Sequence, residues 1–276
     1  MSCLLSAYSQ KNKHTITSLI NADKLLQKTI FLKGINKGFI KLSDVSATTF
    51  KPSPVDLKSY YANYPPDSNI YNLRPAVAYI AKSGDFGIIT GPYIDSRKQN
   101  ANLYYGNYIA VWRSNPKNKW KILLHADIPS PQLDSFTNTK LELPANEKYS
   151  RLLGPKKIQM RKDIVFSTDE LLGKSLAYLG NKSFLEYYST NVKLLLANNV
   201  PLQGVDEVIP FFDTHNISIL SEPLNTNRAY SGDLAFTYGK AIITINNEKK
   251  TYSYIRIWQI QADMKWYIII DAYIPL

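Results

Sequence analysis

Cysteine is almost missing from this chain. Cys3 is the single one in 276 residues, which excludes an intramolecular disulfide framework. Histidine is nearly as scarce, with three, too few for a His-rich metal centre. No stretch reaches the ~18 uninterrupted apolar residues that a membrane-crossing helix needs. A glycine-rich phosphate loop, a CxxC or HExxH spacing and a Ser–His–Asp arrangement are also lacking. The expectation is therefore a protein without cofactor or metal.

Aromatic residues, by contrast, are abundant: 20 Tyr, 10 Phe and 4 Trp favour β structure. With 45% hydrophobic and 20% charged residues, the chain has the composition of a folded protein. Its length suits two domains of roughly 100–150 residues. The net charge of +11 is uneven, because residues 1–150 hold 19 basic and 10 acidic side chains. Such an excess attracts polyanions. Yet Lys11, Lys13, Lys24, Lys28, Lys33, Lys37 and Lys41 are scattered, not interleaved with aromatics as base stacking requires. A solvated surface is the expected reading, with a polyanion site as the weakest alternative and nucleic acid not an expected partner.

The opening MSCLLSAYSQ reads as the tail of a secretory signal and its cleavage region, without the charged start. From Gln10 onward there is no cysteine, which suits a bacterial envelope or secreted protein. A frayed terminus of a cytoplasmic protein is the alternative.

Self-similarity decides the architecture. Trp120-Lys-Ile-Leu-Leu-His125-Ala-Asp127-Ile-Pro129 aligns without a gap on Trp266-Tyr-Ile-Ile-Ile-Asp271-Ala-Tyr273-Ile-Pro275. At the same offset, Tyr108-Ile-Ala-Val-Trp112 falls on Tyr254-Ile-Arg-Ile-Trp258. Ser83-Gly84-Asp85-Phe86 falls on Ser231-Gly232-Asp233-Leu234, Gly91 on Gly239, and Asn36-Lys-Gly-Phe39 on Asn181-Lys-Ser-Phe184. A period this long is a duplicated domain.

Each copy opens with an amphipathic helix, Ser18 to Lys33 or Ser167 to Leu179, the latter with Ser167 and Glu170 placed as a capping box. A helical turn follows at Phe39 or Phe184. Then come a short strand (46–50; 192–196), a third helix (56–61; 205–212) and a set of meandering strands. The strands are 75–82, 86–94, 104–113 and 119–128 in the first copy, and 228–230, 234–245, 250–260 and 265–274 in the second. Helices followed by such strands indicate α+β. The division is a residual signal at 1–13, domains at 14–130 and 164–276, and a linker at 131–163. The linker carries Pro131, Pro144, Gly154-Pro155 and six basic residues from Lys148 to Lys162.

This order of motifs resembles the nuclear transport factor 2-like superfamily, and within it the SnoaL-like (ketosteroid-isomerase-like) branch common in bacteria. Lys51-Pro52-Ser53-Pro54-Val55 is similar to that branch's Pro-rich loop. The resemblance implies two tandem cystatin-like cones, each with N-terminal helices packed on a curved antiparallel sheet. It further implies sheet-to-sheet pairing of the two copies, in imitation of a homodimer. It leaves function open, because one such fold serves isomerases, cyclases, dehydratases and non-catalytic binders. Ketosteroid isomerases place an Asp at the end of the first strand. Here Thr48-Thr49-Phe50-Lys51 and Leu195-Leu196-Ala197-Asn198 offer no carboxylate, which speaks against that chemistry.

Strand alternation puts Trp120, Ile122, Leu124 and Ala126 on one apolar face, with Lys121, Leu123, His125 and Asp127 on the other. In the second copy, Tyr267, Ile269, Asp271 and Tyr273 form the amphipathic face. Trp112, His125, Asp127, Tyr178, Tyr188, Arg256, Trp258 and Asp271 are therefore the pocket candidates. An Arg256–Asp271 pair is suited to grip a polar ligand group. Each has a duller reading: His125 a hydrogen-bonded interface residue, Asp271 a salt-bridged one, Trp112 and Trp258 sheet anchors, Tyr178 and Tyr188 helix packing. Asp85 and Asp233 are expected to bond their own backbone in turns. The leading expectation is a small-molecule-binding or interaction module. The alternative is a cofactor-independent lyase, isomerase or hydrolase using Asp271, His125 or Asp127.

Overall fold

A computed structural model describes residues 14–64, 71–96, 102–115, 117–132, 139–144 and 154–276. The expected signal remnant at 1–13 lies outside these residues, as does much of the expected linker. Helix α1 (Ile16–Lys33) starts where the Thr15 side chain accepts the N–H of Ser18 at 3.2 Å, and Gly34, at φ +88°, ends it. Its buried residues are Ile16, Leu19, Asp23, Leu26, Thr29 and Ile30, apolar at helical spacing apart from one carboxylate and one hydroxyl. Then follow α2 (Ile35–Leu42), β1 (Ser43–Phe50), β2 (Pro54–Asp56), α3 (Leu57–Ala62), β3 (Tyr71–Leu73), β4 (Val77–Ile80), β5 (Phe86–Asp95), β6 (Tyr104–Ser114), β7 (Trp120–Pro129) and β8 (Lys140–Glu142). The second half repeats the plan with α4 (Pro155–Leu179), a 3-10 turn, α5 (Phe184–Tyr187), β9 (Tyr188–Leu196), β10 (Leu202–Gln203), α6 (Val205–Thr214), β11 (Ile217–Arg228), β12 (Leu234–Ile245), β13 (Glu248–Ile260) and β14 (Trp266–Pro275).

The fold is α+β, and each half owns one sheet. Strand order is β2-β1-β7-β6-β5-β4-β8 in the first, with β3 beside β5, and β10-β9-β14-β13-β12-β11 in the second. Four expectations need correction. The sheets are mixed, because β1 joins β7, β9 joins β14, and β4 joins β8 in parallel. The first strand of each half is separated from its partner by the rest of that half, a crossover long enough for parallel pairing. Helix α4 begins at Pro155, after Gly154, so Ser167 and Glu170 sit mid-helix and form no capping box; proline at the first helical position marks the true start. The segment 131–163 accordingly contains β8 and the first turns of α4. Strand β11 is far longer than 228–230, because Pro223 falls at a register shift between Pro223 and Asn225 on the sheet edge, where proline is tolerated.

Three cores result. One lies inside each half, under its helices: Leu19, Leu26, Phe39, Tyr61 and Trp112 belong to the first, and Val165, Leu172, Phe184, Phe212 and Trp258 to the second. The third lies between the sheets and draws on both halves, with Phe86, Ile109 and Val111 meeting Phe236, Ile255 and Ile257. The expected sheet-to-sheet pairing is thus formed within one chain. The uniform apolar face assigned to β7 is also corrected. Pairing with β6 shifts between Val111 and Trp112, which leaves Leu123 without a partner in the register. Trp120 and Ile122 therefore face the first cone, while Leu124 and Ala126 face the shared core. Strand β14 has the same bulge at Ile269, and an extra residue of this kind switches every later side chain to the other face.

The Ser-Gly-Asp turns clasp the halves together. The N–H of Ser83 donates to Ser231 Oγ at 3.1 Å, and the N–H of Ser231 donates to Ser83 Oγ at 3.1 Å. The N–H of Lys82 reaches Asp233 at 3.1 Å, and that of Tyr230 reaches Asp85 at 3.2 Å. The two aspartates thus bond the opposite half's backbone, not their own, because the pairing brings the turns face to face. Gly84 and Gly232 hold φ +67° and +79°, the left-handed region that glycine enters at little cost.

Candidate functional site

The bulges aim His125 and Asp127 of β7, and Asp271 and Tyr273 of β14, into the cones. In the second cone, the centre is Arg256 on β13, fully buried. Its Nη1 donates to Asp169 Oδ1 and, at 3.1 Å, to Ser221; its Nε lies 3.4 Å from Asp271 Oδ1, and its Nη2 donates to Tyr273 at 3.2 Å. Tyr188 and Tyr273 donate to Asp271 Oδ2 at 2.8 and 2.9 Å, and Tyr254 donates to Asp169 Oδ2 at 2.8 Å. The guanidinium lies over the rings of Tyr254 and Phe184, at 4.4 and 5.7 Å from their centroids. Burial alone would lower the arginine's pKa, but Tyr273, Asp169, Asp271 and Tyr254 hold it well above its ordinary value. Burial pushes Asp271 up against the pull of Arg256 and the two tyrosines. Apart from the half-buried Ser221, every member is at most 4% exposed, and Asp271 Oδ1 accepts no hydrogen bond among the described residues.

The first cone carries different groups at the same places. Asp23, on α1, is fully buried; its Oδ2 accepts Tyr108 at 3.1 Å and Gln27 at 3.2 Å. Burial raises its pKa to about 6, and those two bonds only partly oppose the rise. His125 packs against Phe39 at 4.7 Å between ring centroids and stacks on Tyr108 at 6.0 Å. Toward the rim, Tyr71 donates to Asp127 Oδ1 at 2.5 Å and lies 3.5 Å from His125 Nε2. His125 Nδ1 is 3.8 Å from Asp127. Lys51 Nζ bonds Asp127 Oδ2 at 3.1 Å, with side chains 20% and 9% exposed, and lies over the Tyr60 ring. A row of donors and acceptors thus runs from a partly solvated ammonium to an imidazole inside the cone. Such a row can orient a polar group or pass a proton, since a neutral imidazole carries one donor and one acceptor nitrogen.

Of the eight candidates, the structure brings His125 and Asp127 together in the first cone, and Tyr188, Arg256 and Asp271 in the second. Tyr188 opens strand β9 rather than pointing from a helix. Trp112 and Trp258 are fully buried; the indole of Trp258 donates to Thr237 at 2.8 Å, as a sheet anchor does. Tyr178 is a correction: it is 89% exposed on α4, because the inward stripe of that helix is Val165, Asp169, Leu172 and Leu176. Sequence reasoning missed Asp23, Asp169 and Tyr71. A signal for the first two existed: Asp23 and Asp169 stand 146 residues apart, as Trp120 and Trp266 do, each a lone acid on an apolar helical stripe. Tyr71 sits on a three-residue strand whose place in the second half is taken by the start of β11, where Ile219 pairs with Ile243 as Tyr71 pairs with Asp95, so no repeated tyrosine marks it.

Among the described residues, no group of three or more His, Cys, Asp or Glu could hold a metal ion, and no helix is long and apolar enough to cross a membrane. No family model matches the chain, and neither does any curated protein sequence. Solved structures do match, one half at a time. Nuclear transport factor 2 from Cryptosporidium parvum is 15% identical, with 46% of this chain and 100% of that one covered at a TM-score of 0.32. An NTF2-like protein from Pseudomonas putida is 10% identical over 42% and 86%, at 0.35. A second, from Cytophaga hutchinsonii, is 11% identical over 45% and 100%, at 0.31. Each half runs helices first and strands after, with its first strand parallel to the last long one; the tandem arrangement follows from the two sheets. The two halves differ in the polar groups their interiors carry.

Proposed function

We propose that this tandem NTF2-like protein is a small-molecule-binding module whose first cone is the binding half and whose second cone is its structural twin. The observation that carries the reading is the contrast between the two interiors. In the second, Arg256 pairs with both Asp169 and Asp271 out of contact with water. In the first, Lys51, Asp127, Tyr71 and His125 form a polar row that reaches solvent at Lys51. A row of that kind on an aromatic wall of Phe39, Tyr61 and Tyr71 suits a molecule with an apolar body and one hydrogen-bonding group. Export to the envelope belongs to the same reading; it is supported by the scarcity of cysteine and is tested by the fraction in which the protein is found in its native cell.

The deciding experiment is a thermal-shift screen of small polar aromatics and alicyclics against the wild type, D127N and D271N. Hits that vanish in D127N and survive in D271N are expected. Hits that depend on Asp271 alone would overturn the assignment of the halves. The close approach of Tyr71, Asp127 and His125 favours a second reading, acid–base catalysis on the bound molecule. Turnover of any hit, abolished by H125A with binding retained, would establish it.

A further inference from the structure

We propose that Asp23 is the receptor for a cationic nitrogen, a guanidinium or primary ammonium, on the molecule the first cone binds. The inference rests on the reading that this cone is the binding half. Its basis is that the chain builds the same socket twice and fills it once. The offset of 146 residues that relates the halves sets Asp23 on Asp169, Tyr108 on Tyr254 and Ala110 on Arg256. In the second cone, Oδ2 of Asp169 takes the tyrosine hydroxyl and Oδ1 takes the arginine. In the first, Oδ2 of Asp23 takes the hydroxyl of Tyr108, while Oδ1 has no hydrogen-bond partner among the described residues. The orphaned oxygen is the one that the arginine occupies in the twin, and alanine stands where that arginine would start.

Such an unpartnered oxygen is costly, because a buried acceptor without a donor loses its water and gains nothing in exchange. A cationic donor fits better than a neutral one. The bond it makes to a carboxylate is charge-assisted, and the site already presents the ring faces that hold a guanidinium in the twin. There Arg256 covers Tyr254 and Phe184; in the first cone the equivalent faces of Tyr108 and Phe39 carry His125 instead. The swap follows the sheet, since Arg256 pairs with Asp271 across β13 and β14, and Ala110 pairs with His125 across β6 and β7. An incoming cation therefore displaces the imidazole from the face of Tyr108 and inherits its aromatic contacts. Asp127 does not compete for it, because Lys51 already pairs with that carboxylate.

The probe is methylguanidinium at sub-denaturing concentration and constant ionic strength, titrated into the full chain with melting temperature and calorimetric heat as readouts. The wild type is expected to show a saturable rise in melting temperature. D23N abolishes it, and H125A, which clears the ring face, tightens it by roughly tenfold. A110R, whose own side chain fills the socket, melts higher and ignores the probe. Should A110R fail to fold, D23N and H125A still decide. A wild type with no saturable response, or a response that survives D23N, overturns the inference. A neutral hit that needs Asp127 and is indifferent to D23N would overturn this inference while leaving the binding reading intact.

Discussion

Asp23 is the residue on which the two halves can be compared most sharply. Its carboxyl carries the same tyrosine bond as Asp169 and lacks the arginine, so burial is met by weaker compensation and its pKa rises to about 6 from 3.8. A carboxyl whose folded pKa exceeds its unfolded one binds its proton more tightly when folded. Stability is therefore highest below the unfolded value, falls as pH rises between about 4 and 6, and stays level above. The loss amounts to about 3 kcal/mol, from a shift of about two pKa units. D23N keeps the shape and cannot ionise, so its advantage over the wild type should be small at pH 4 and about 3 kcal/mol at pH 7.5. Urea unfolding at the two pH values checks this. A difference that does not change with pH would show that Asp23 is not strained by its charge. The sequence carried the clue to this residue in its periodic offset, but an acid on an apolar stripe shows its meaning only once its neighbour's identity at 110 or 256 is known to point at it.

At the scale of elements, helix α1, the second half of α4 and the hairpins of β5 to β7 and β12 to β14 were legible because their periodicity is strong and their turns are chemically marked. Asn246 and Asn247, at φ +48° and +70°, join β12 and β13 as a two-residue hairpin requires. The bulges at Leu123 and Ile269 were not legible. Both sit in runs of apolar residues where either face accepts any member, so the pattern has no polar marker to show the switch. The Ser-Gly-Asp turns were visible as a repeat but not as a clasp, since hydrogen bonds between turns about 148 residues apart depend on docking. The glycine of the second turn tests the clasp. At φ +79°, a Cβ on Gly232 is strained and would run into the guanidinium of Arg228, which itself holds Ala229 and Tyr230 by their carbonyls. G232A should destabilise the whole chain by more than about 1 kcal/mol, and both halves should melt earlier together. If only the second half melts earlier, by a probe local to each half, the clasp does not couple them.

For the molecule as a whole, duplication places a shared core between two sheets and so turns what would be a surface into an interior. Tandem architecture was readable from four ordered repeats, and sheet-to-sheet docking followed from it by resemblance. The division of labour between the cones was not readable, because it depends on three substitutions whose side chains meet only in space: Ala110 for Arg256, His125 for Asp271, and Asp127 for Tyr273. The energetic consequence of the shared core belongs to this scale. Residues 154–276 expressed alone would retain their own cone core but expose Leu195, Phe236, Ile255, Ile257, Ile269 and Ile274, all at most 6% exposed in the full chain. A contiguous apolar sheet face of that size is an association surface. The sheet already pairs with a related sheet through an approximate two-fold exchange of hydrogen bonds, so a second copy is the natural substitute for the missing half. The fragment should therefore run as a dimer in size-exclusion chromatography with light scattering, and mixing it with the first half should convert the dimer to the one-to-one pair. A stable monomer at micromolar concentration would mean that the inter-sheet core contributes little, and that the two cones are tethered rather than mutually folded.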